Sequence, residues 1–272
     1  SKMTSMNAST IDPGPRLAKP RVVVVGGGGH VGLPLAIALA DVGVPTTSYD
    51  INETVVKTVL SGTMPFTEDH AEPMLRAALD AGTFDITSDP AIVSEAEYVV
   101  VVIGTPVDEH QNPDPEAVVA AIDELMPYLS SGQILILRST VYPGVTRRVM
   151  AQVAEKVAGV DVIFCPERIA QGKAMTELFA LPQIIGSDSD TAAERGADLF
   201  KNLCPNIVRT TPEEAELAKL FTNVWRYIKF AAANQFFMIA NDAGVDFEKV
   251  RSAISQDYPR ANDMPGAGFA AG

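Results

Sequence analysis

The sequence predicts an α/β fold built on a doubly wound parallel sheet, followed by a long connecting helix and the start of a helical middle domain. Short apolar runs alternate with helical patterns along residues 21–211, which is typical of a parallel sheet covered by helices on both faces. A glycine-rich turn joins the first apolar run to the first helix. No proline or glycine interrupts residues 213–243, which indicates one long helix.

Each element follows from its apolar run and the breakers around it. Strands are predicted at 21–25, 45–50, 97–106 and 132–140, with shorter ones near 161–164, 182–186 and 206–210. Helices are predicted at 33–43, 52–61, 71–81, 114–129, 144–157, 212–244 and 246–254. Pro115 lies just inside its helix, where a missing N–H costs nothing. Thr211 and Glu214 form a capping box that begins the long helix.

Composition and charge exclude several classes of function. The 272 residues are 47% hydrophobic and carry a formal net charge of −13, which disfavours a nucleic-acid or anionic-membrane partner. Cys165 and Cys204 have no metal-ligand spacing, so we expect no metal site and a reducing, cytoplasmic location. Residues 1–20 lack the apolar core of a signal peptide and are predicted to be a flexible tail.

The glycine-rich turn has the spacing of a dinucleotide-binding loop. Gly27, Gly29 and Gly32 form G-x-G-x-x-G between a predicted strand and a predicted helix, which indicates a Rossmann-like NAD-binding domain over 21–211. His30 and Val31 complete this cofactor loop, and we interpret His30 as part of the loop and not as a catalyst. A glycine-rich turn without a ligand is the alternative interpretation.

Asp50 indicates which dinucleotide the loop binds. It ends the second predicted strand, eighteen residues beyond Gly32. A carboxylate there accepts hydrogen bonds from an adenosine ribose and repels a 2′-phosphate, which favours NAD over NADP.

Seven stretches together resemble the nucleotide-sugar 6-dehydrogenases, a family that includes UDP-glucose dehydrogenase and the dehydrogenases of UDP-N-acetylmannosamine and UDP-N-acetylglucosamine. The resemblance extends from residue 21 to residue 272. Its motifs are GGGGHVGLPLA, YDIN, GTPVDEHQNPD, LRSTVYPGVT, CPERIAQGKA, AELAKLFTNVWRYIKFAAANQ and MPGAGFAAG. This resemblance implies a four-electron oxidation of a UDP-sugar C6 alcohol to a uronate, with two NAD⁺ consumed and a cysteine as the covalent nucleophile.

The resemblance also implies roles for individual residues. Lys219 and Asn223, which share one helix face, would stabilise the developing alkoxide. Glu167 would activate or orient the hydrolytic water, and Thr140 would help to hold it. Thr105 and Thr140, at strand ends, would line the cofactor path. Lys219 could instead pair with a neighbouring glutamate, Glu214 or Glu216, on a solvated helix.

Several departures from the UDP-glucose dehydrogenase pattern bear on the substrate. Gln171 stands where a second glutamate is usual, and Arg168 replaces an aromatic residue. Together with Arg226, these residues resemble the 2-acetamido-sugar members, so we expect a UDP-N-acetylhexosamine. Arg260 resembles an arginine that reaches the sugar nucleotide, often from a neighbouring subunit.

The resemblance extends to the last residues and to assembly. Family members continue GAGFAAG with one further residue and then the nucleophilic cysteine, so we expect this chain to stop just before that cysteine and to lack a C-terminal UDP-binding domain. Such a chain would bind NAD⁺ and make no uronate. Residues 212–272 would begin a helical dimerisation domain, with a homodimer formed through the 212–243 helix. A UDP-glucose dehydrogenase, a β-hydroxyacid dehydrogenase and a non-catalytic NAD-binding module are the alternatives.

Overall fold

The structure is a computed structural model that describes residues 19–104 and 114–268. The predictions for the N-terminal tail, for Thr105 and for the last four residues fall largely or wholly outside these ranges. Eight strands form one sheet in the order β3-β2-β1-β4-β5-β6-β7-β8. The strands are β1 Val22–Val25, β2 Thr46–Tyr49, β3 Phe84–Thr87, β4 Tyr98–Val101, β5 Ile134–Leu137, β6 Asp161–Phe164, β7 Gln183–Gly186 and β8 Ile207–Thr210.

Nine α-helices lie within the described ranges, and they agree with the predicted alternation. They are α1 Gly32–Asp41, α2 Glu53–Leu60, α3 Ala71–Ala81, α4 Pro115–Leu125, α5 Val145–Lys156, α6 Ala174–Ala180, α7 Asp190–Phe200, α8 Pro212–Asp242 and α9 Phe247–Ser255. The α/β class is therefore confirmed. Strand β3 and helices α6 and α7 were not predicted, because their sequences lack a long apolar run or a strong stop signal.

The continuous apolar runs are explained by helices on both faces of the sheet. Val22 and Val24 belong to one hydrophobic core, whereas Val23 and Val25 belong to the other. Since successive side chains of a strand point to opposite faces, every residue of β1 must be apolar. The same holds for β4 and β5, which are fully buried.

The sheet is parallel from β3 to β6, and its last two strands are reversed. Strand β7 meets β6 antiparallel at a single position, Phe164 opposite Gly186, and β8 runs parallel to β7. A parallel β7 would need residues 165–182 to cross back over the sheet. Instead, this segment places the short helix α6 against α1. Phe164 ends β6 and Gly186 ends β7, so the rest of β7 lies beyond the carboxyl end of β6.

Helix α8 begins on the sheet and then leaves it. The predicted capping box is confirmed, with Thr211 and Glu214 each bonding the other's backbone. Ala215 is fully buried, whereas Phe221 is 64% exposed. Helix α9 packs against the C-terminal part of α8, where Phe247 is buried with Ala233 and Ala240. None of the helices in 19–104 and 114–268 combines the length and apolar composition that a membrane crossing requires.

Candidate functional site

The glycine-rich loop follows β1 directly, and the protein's own packing requires Gly26, Gly27 and Gly32. A Cβ atom on Gly26, which has φ +75°, would lie 1.8 Å from the Val102 carbonyl oxygen. A Cβ atom on Gly27 would lie 2.4 Å from the Ser48 hydroxyl oxygen. A Cβ atom on Gly32 would lie 2.5 Å from the Gly26 carbonyl oxygen. All three distances are well inside van der Waals contact, so the strand, the turn and α1 can approach each other only because these residues lack a side chain.

Gly29 is different, because nothing in the described protein requires it to be a glycine. A Cβ atom there would meet only the Gly26 carbonyl oxygen, at an ordinary 3.6 Å. The N-terminus of α1 has no side-chain cap among the described residues and no acidic residue in its first turn. Open space before uncapped helical N–H groups is the environment that a pyrophosphate needs, so the loop fits a dinucleotide.

Asp50 lies where the sequence predicted, immediately after β2 and beside the loop. Its Oδ2 accepts a hydrogen bond from the Gly28 N–H at 2.9 Å, and its Oδ1 accepts one from the Asn52 N–H at 3.0 Å. These bonds hold the carboxylate against the loop. The carboxylate is only half-buried, so its remaining lone pairs can accept further hydrogen bonds.

A cavity of about 410 Å³ adjoins the glycine loop at the carboxyl edge of the sheet. It brings together residues that are far apart in the sequence. From the predicted set its walls contain His30, Val31, Thr140, Glu167, Lys219, Asn223 and Arg226. The carboxyl edge is where ligands of α/β proteins bind, so the cavity is the candidate active site.

Lys219 and Glu167 face each other across this cavity. Lys219 Nζ lies 4.0 Å from Glu167 Oε2, and the two side chains are only 10% and 16% exposed. Glu167 Oε1 also accepts a short hydrogen bond from the backbone N–H of Ile169, which fixes the carboxylate. The pair is thus a partly desolvated charge pair with both heads open to the cavity.

The surroundings of Lys219 shift the pKa of its ammonium group downwards. Burial lowers the pKa of its ammonium group, and the adjacent Glu167 carboxylate opposes this shift. Three guanidinium groups add to the lowering: those of Arg138, Arg168 and Arg226. A buried lysine with a lowered pKa inside a cavity is typical of a functional site.

The alternative position for Lys219, on a solvated helix face beside Glu214 or Glu216, is wrong. Glu214 is engaged in the capping box, and the carboxylate of Glu216 bonds the start of α5. Lys219 itself is buried. The helix turns this face towards the sheet edge, which spacing alone could not show.

Two predicted substrate-binding residues lie outside the cavity. Arg168 donates a hydrogen bond from Nη2 to the Pro182 carbonyl oxygen at 2.9 Å and lies beside the start of β7. Arg260 is exposed, with its guanidinium 4.5 Å from the centre of the Tyr258 ring.

His30 stacks on Phe66 at the rim of the cavity, with ring centres 4.1 Å apart. The roles of all the site residues remain predictions.

The structure also shows polar residues behind the site that the sequence analysis did not single out. Arg138 is fully buried, and its Nη1 bonds the Cys165 carbonyl oxygen at 3.1 Å and Gln183 Oε1 at 3.0 Å. Gln183 Nε2 in turn donates to the Pro166 carbonyl oxygen at 3.0 Å. This network holds the segment that presents Glu167. The sequence did contain a signal for Arg138, because it is a charged residue at the end of the apolar strand β5.

Glu68 is a second polar residue that the sequence analysis did not single out. It lines the cavity, and its Oε1 accepts a hydrogen bond from the Ala174 N–H at 2.7 Å. This bond joins the turn before α3 to the start of α6. Its place in a polar stretch of the sequence provided no signal. Cys165 and Cys204 are both buried.

The loop, the carboxylate after β2 and the charged cavity together define a dinucleotide-binding protein of the dehydrogenase class. Comparison with known families assigns it more closely. The UDP-glucose/GDP-mannose dehydrogenase family, NAD binding domain, matches residues 20–204, and the central domain of the same family matches residues 213–272. The chain belongs to this family, and the prediction of NAD as its cofactor is confirmed by that domain.

Individual relatives agree with this assignment. The chain is 29% identical to UDP-N-acetyl-D-mannosamine dehydrogenase of Methanocaldococcus jannaschii over 254 residues, covering 91% of this chain and 58% of the relative. The solved structure of UDP-D-ManNAc dehydrogenase from Pyrococcus horikoshii has a TM-score of 0.83 at 27% identity, covering 93% of this chain and 61% of that one.

A GDP-mannose dehydrogenase structure from Pseudomonas aeruginosa, a ternary complex, has a TM-score of 0.81 at 25% identity and covers 88% and 57% of the two chains. The chain therefore spans about three fifths of the length of the relatives that it matches.

Proposed function

We propose that this chain carries the NAD-binding and C6-oxidising part of a UDP-sugar 6-dehydrogenase, which converts a C6 alcohol to a uronate in a four-electron oxidation. The observation that carries the proposal is the Lys219–Glu167 pair, 4.0 Å apart, in a cavity that also borders the glycine loop. Such a cavity can hold an alcohol between a cation and a carboxylate, next to the place where a dinucleotide binds.

The side chains of the cavity divide the chemistry among them. NAD⁺, when bound, accepts the hydride in each of the two oxidation steps. Lys219 stabilises negative charge on the C6 oxygen, and Asn223, one helical turn away, donates a further hydrogen bond to it. Glu167 accepts a proton from the hydrolytic water, and Thr140 holds that water through its hydroxyl group.

This role requires the charged form of Lys219, and the Glu167 carboxylate opposes the lowering of the lysine pKa that burial causes. Glu167 lies near enough to stabilise the charged form when it arises.

A UDP-N-acetylhexosamine, UDP-ManNAc or UDP-GlcNAc, is the proposed substrate. Gln171, one of the two departures from the UDP-glucose dehydrogenase pattern, lines the cavity together with Arg226, whereas Arg168, the other departure, lies outside it. The relatives named UDP-N-acetyl-D-mannosamine dehydrogenase support this choice. An amide and a guanidinium provide donors and an acceptor for an acetamido group, which UDP-glucose lacks.

The assembly is proposed to be a homodimer through α8. On the side of the helix away from the cavity, an apolar stripe is at least 37% exposed. The stripe consists of Leu217, Phe221, Val224, Trp225, Ile228 and Ile239. Its spacing follows the helical period, so a second apolar surface can cover it along much of the helix.

The test is an activity assay on the complete reading frame that contains this chain. NADH release is followed with UDP-ManNAc, UDP-GlcNAc and UDP-glucose, and the uronate is quantified by mass spectrometry. We expect two NADH per uronate, and Lys219→Met to lower kcat by about 10²–10³-fold. Lys229→Met is the matched control, since Lys229 lies on the same helix but pairs with Asp263 outside the cavity. One NADH per product would favour a β-hydroxyacid dehydrogenase instead.

A further inference from the structure

Glu216 is a buried carboxylate in the first turns of α8, and its exposed fraction is 0%. It accepts three hydrogen bonds from the start of α5. Oε1 accepts from the Gly144 N–H at 3.0 Å, and Oε2 accepts from the Thr146 N–H and from the Thr146 hydroxyl, both at 3.1 Å. These N–H groups at the beginning of α5 have no helical partner, so the carboxylate satisfies them and also meets the positive end of the helix dipole.

The position of Glu216 on α8 relates it to the candidate site. Residues 216, 219 and 223 lie within about 60° of one another on the helix surface, because an α-helix turns 3.6 residues per turn. The face that Glu216 holds against α5 is therefore the face that presents Lys219 and Asn223 to the cavity. The other side of the contact, residues 144–146, closely follows Thr140, which lines the same cavity.

A second contact joins the same two helices but differs in burial. Arg147 of α5 forms ion pairs with Glu213 of α8 and with Asp188, and the side chains of Arg147 and Glu213 are 49% and 40% exposed. Exposed ion pairs of this kind contribute little to the stability of a particular arrangement. A fully buried carboxylate with three donors has no comparable alternative partner, since water cannot replace them.

We propose that Glu216 is a positioning residue, which sets the rotation of α8 and so holds Lys219 and Asn223 opposite Glu167 and Thr140. The inference rests on the proposed function only for what Lys219 does there. The packing of α8 against α5 through Glu216 is a property of this chain alone and does not depend on turnover.

The consequence is measurable at the Lys219 amine. The charged groups that face it are Glu167 from the loop after β6, Arg138 from the end of β5, and the two arginines Arg168 and Arg226. If α8 rotates, the amine gains water and leaves these groups. Its pKa then rises towards the ordinary lysine value, because burial is the largest cause of the lowering.

The experiment compares Glu216→Gln with the wild-type chain and with Glu213→Gln. Lysines are acetylated competitively over a pH series, and peptide mass spectrometry gives the midpoint pH for Lys219, with exposed Lys249 of α9 as internal reference. In Glu216→Gln an amide NH₂ replaces one oxygen and faces the N–H donors of α5, so we expect the Lys219 midpoint to rise by about one pH unit. In Glu213→Gln it stays at the wild-type value.

Hydrogen exchange of β1 separates local undocking from global unfolding, because β1 lies in the centre of the sheet. If Glu216→Gln loses protection from exchange in β1, the milder variant Thr146→Val replaces it in the test. Thr146→Val removes one of the three hydrogen-bond donors, so we expect it to raise the Lys219 midpoint pH by a smaller amount. An unchanged Lys219 midpoint in the folded variants, or an equal rise in Glu213→Gln, overturns the proposal. No outcome depends on NAD binding or on turnover, so failure of the proposed function is recognised separately.

Discussion

Substituting two glycines of the same loop by alanine should have opposite consequences for stability and for NAD⁺ affinity. In Gly32→Ala the new Cβ would lie 2.5 Å from the Gly26 carbonyl oxygen and 3.0 Å from the Gly27 Cα, which are backbone atoms that cannot turn away. Overpacking of this kind costs about 1–3 kcal/mol. For a domain of this size each kcal/mol lowers Tm by about 2–4 °C, so we expect a decrease of about 2–12 °C.

In Gly29→Ala the new Cβ would meet only the Gly26 carbonyl oxygen, at 3.6 Å, so Tm should change little. The methyl group instead occupies the space through which a pyrophosphate reaches the backbone. Losing one hydrogen bond to a charged group costs about 1.5–3 kcal/mol, which raises the Kd for NAD⁺ by roughly 10- to 150-fold.

The assay is calorimetric titration of NAD⁺ together with thermal unfolding of both variants. Gly43→Ala is unsuitable as a control, because Gly43 has φ +86°. Ala40→Gly in α1, away from the loop, controls for a general loss of helix stability. The reasoning is refuted if Gly29→Ala binds NAD⁺ as tightly as the wild type, or if Gly29→Ala is the less stable of the two loop variants.

Three further predictions concern other parts of the chain. Lys219→Met should raise Tm near neutral pH, because it removes a desolvated charge. The wild type gains stability as the pH rises from the lowered pKa of Lys219 to the ordinary lysine value, since the folded chain then releases this proton before the unfolded chain does. The difference in Tm between the variant and the wild type should therefore shrink over that pH range. The double change Phe221→Glu and Ile228→Glu should convert a dimer to monomers in light scattering without lowering Tm, whereas an unchanged mass would contradict the α8 interface. Burial raises the pKa of Cys165 to about 12 and also raises that of Cys204, so a thiol reagent at mildly alkaline pH should label both residues only after denaturation.

The fold and the cofactor loop could be predicted because their signals are local. Residues 22–25 must be continuously apolar because both faces of the sheet are covered, and Gly27 and Gly32 must lack a side chain because the backbone and Ser48 approach them closely. The beginning of α8 was equally accessible, since Thr211 and Glu214 satisfy N–H groups within one turn. In each case the residues that interact are close together in the chain, so their spacing carries the information.

The reversed strands and the polar residues behind the site were not accessible in this way. The direction of β7 depends on where α6 packs, and α6 packs against a helix more than a hundred residues earlier. Arg138 and Gln183 bond each other across 45 residues, and Glu68 bonds Ala174 across 106. No periodicity in the sequence records partners at such separations.

The sequence by itself determined that this chain is an α/β protein with an NAD-binding loop, because apolar period, glycine spacing and capping act between neighbouring residues. Only the tertiary structure decided that Lys219 faces Glu167 and not its helical neighbours, and that Glu216 is buried against α5. A helix position is compatible with solvent or core until the helix is docked, and docking is decided by the packing of distant segments.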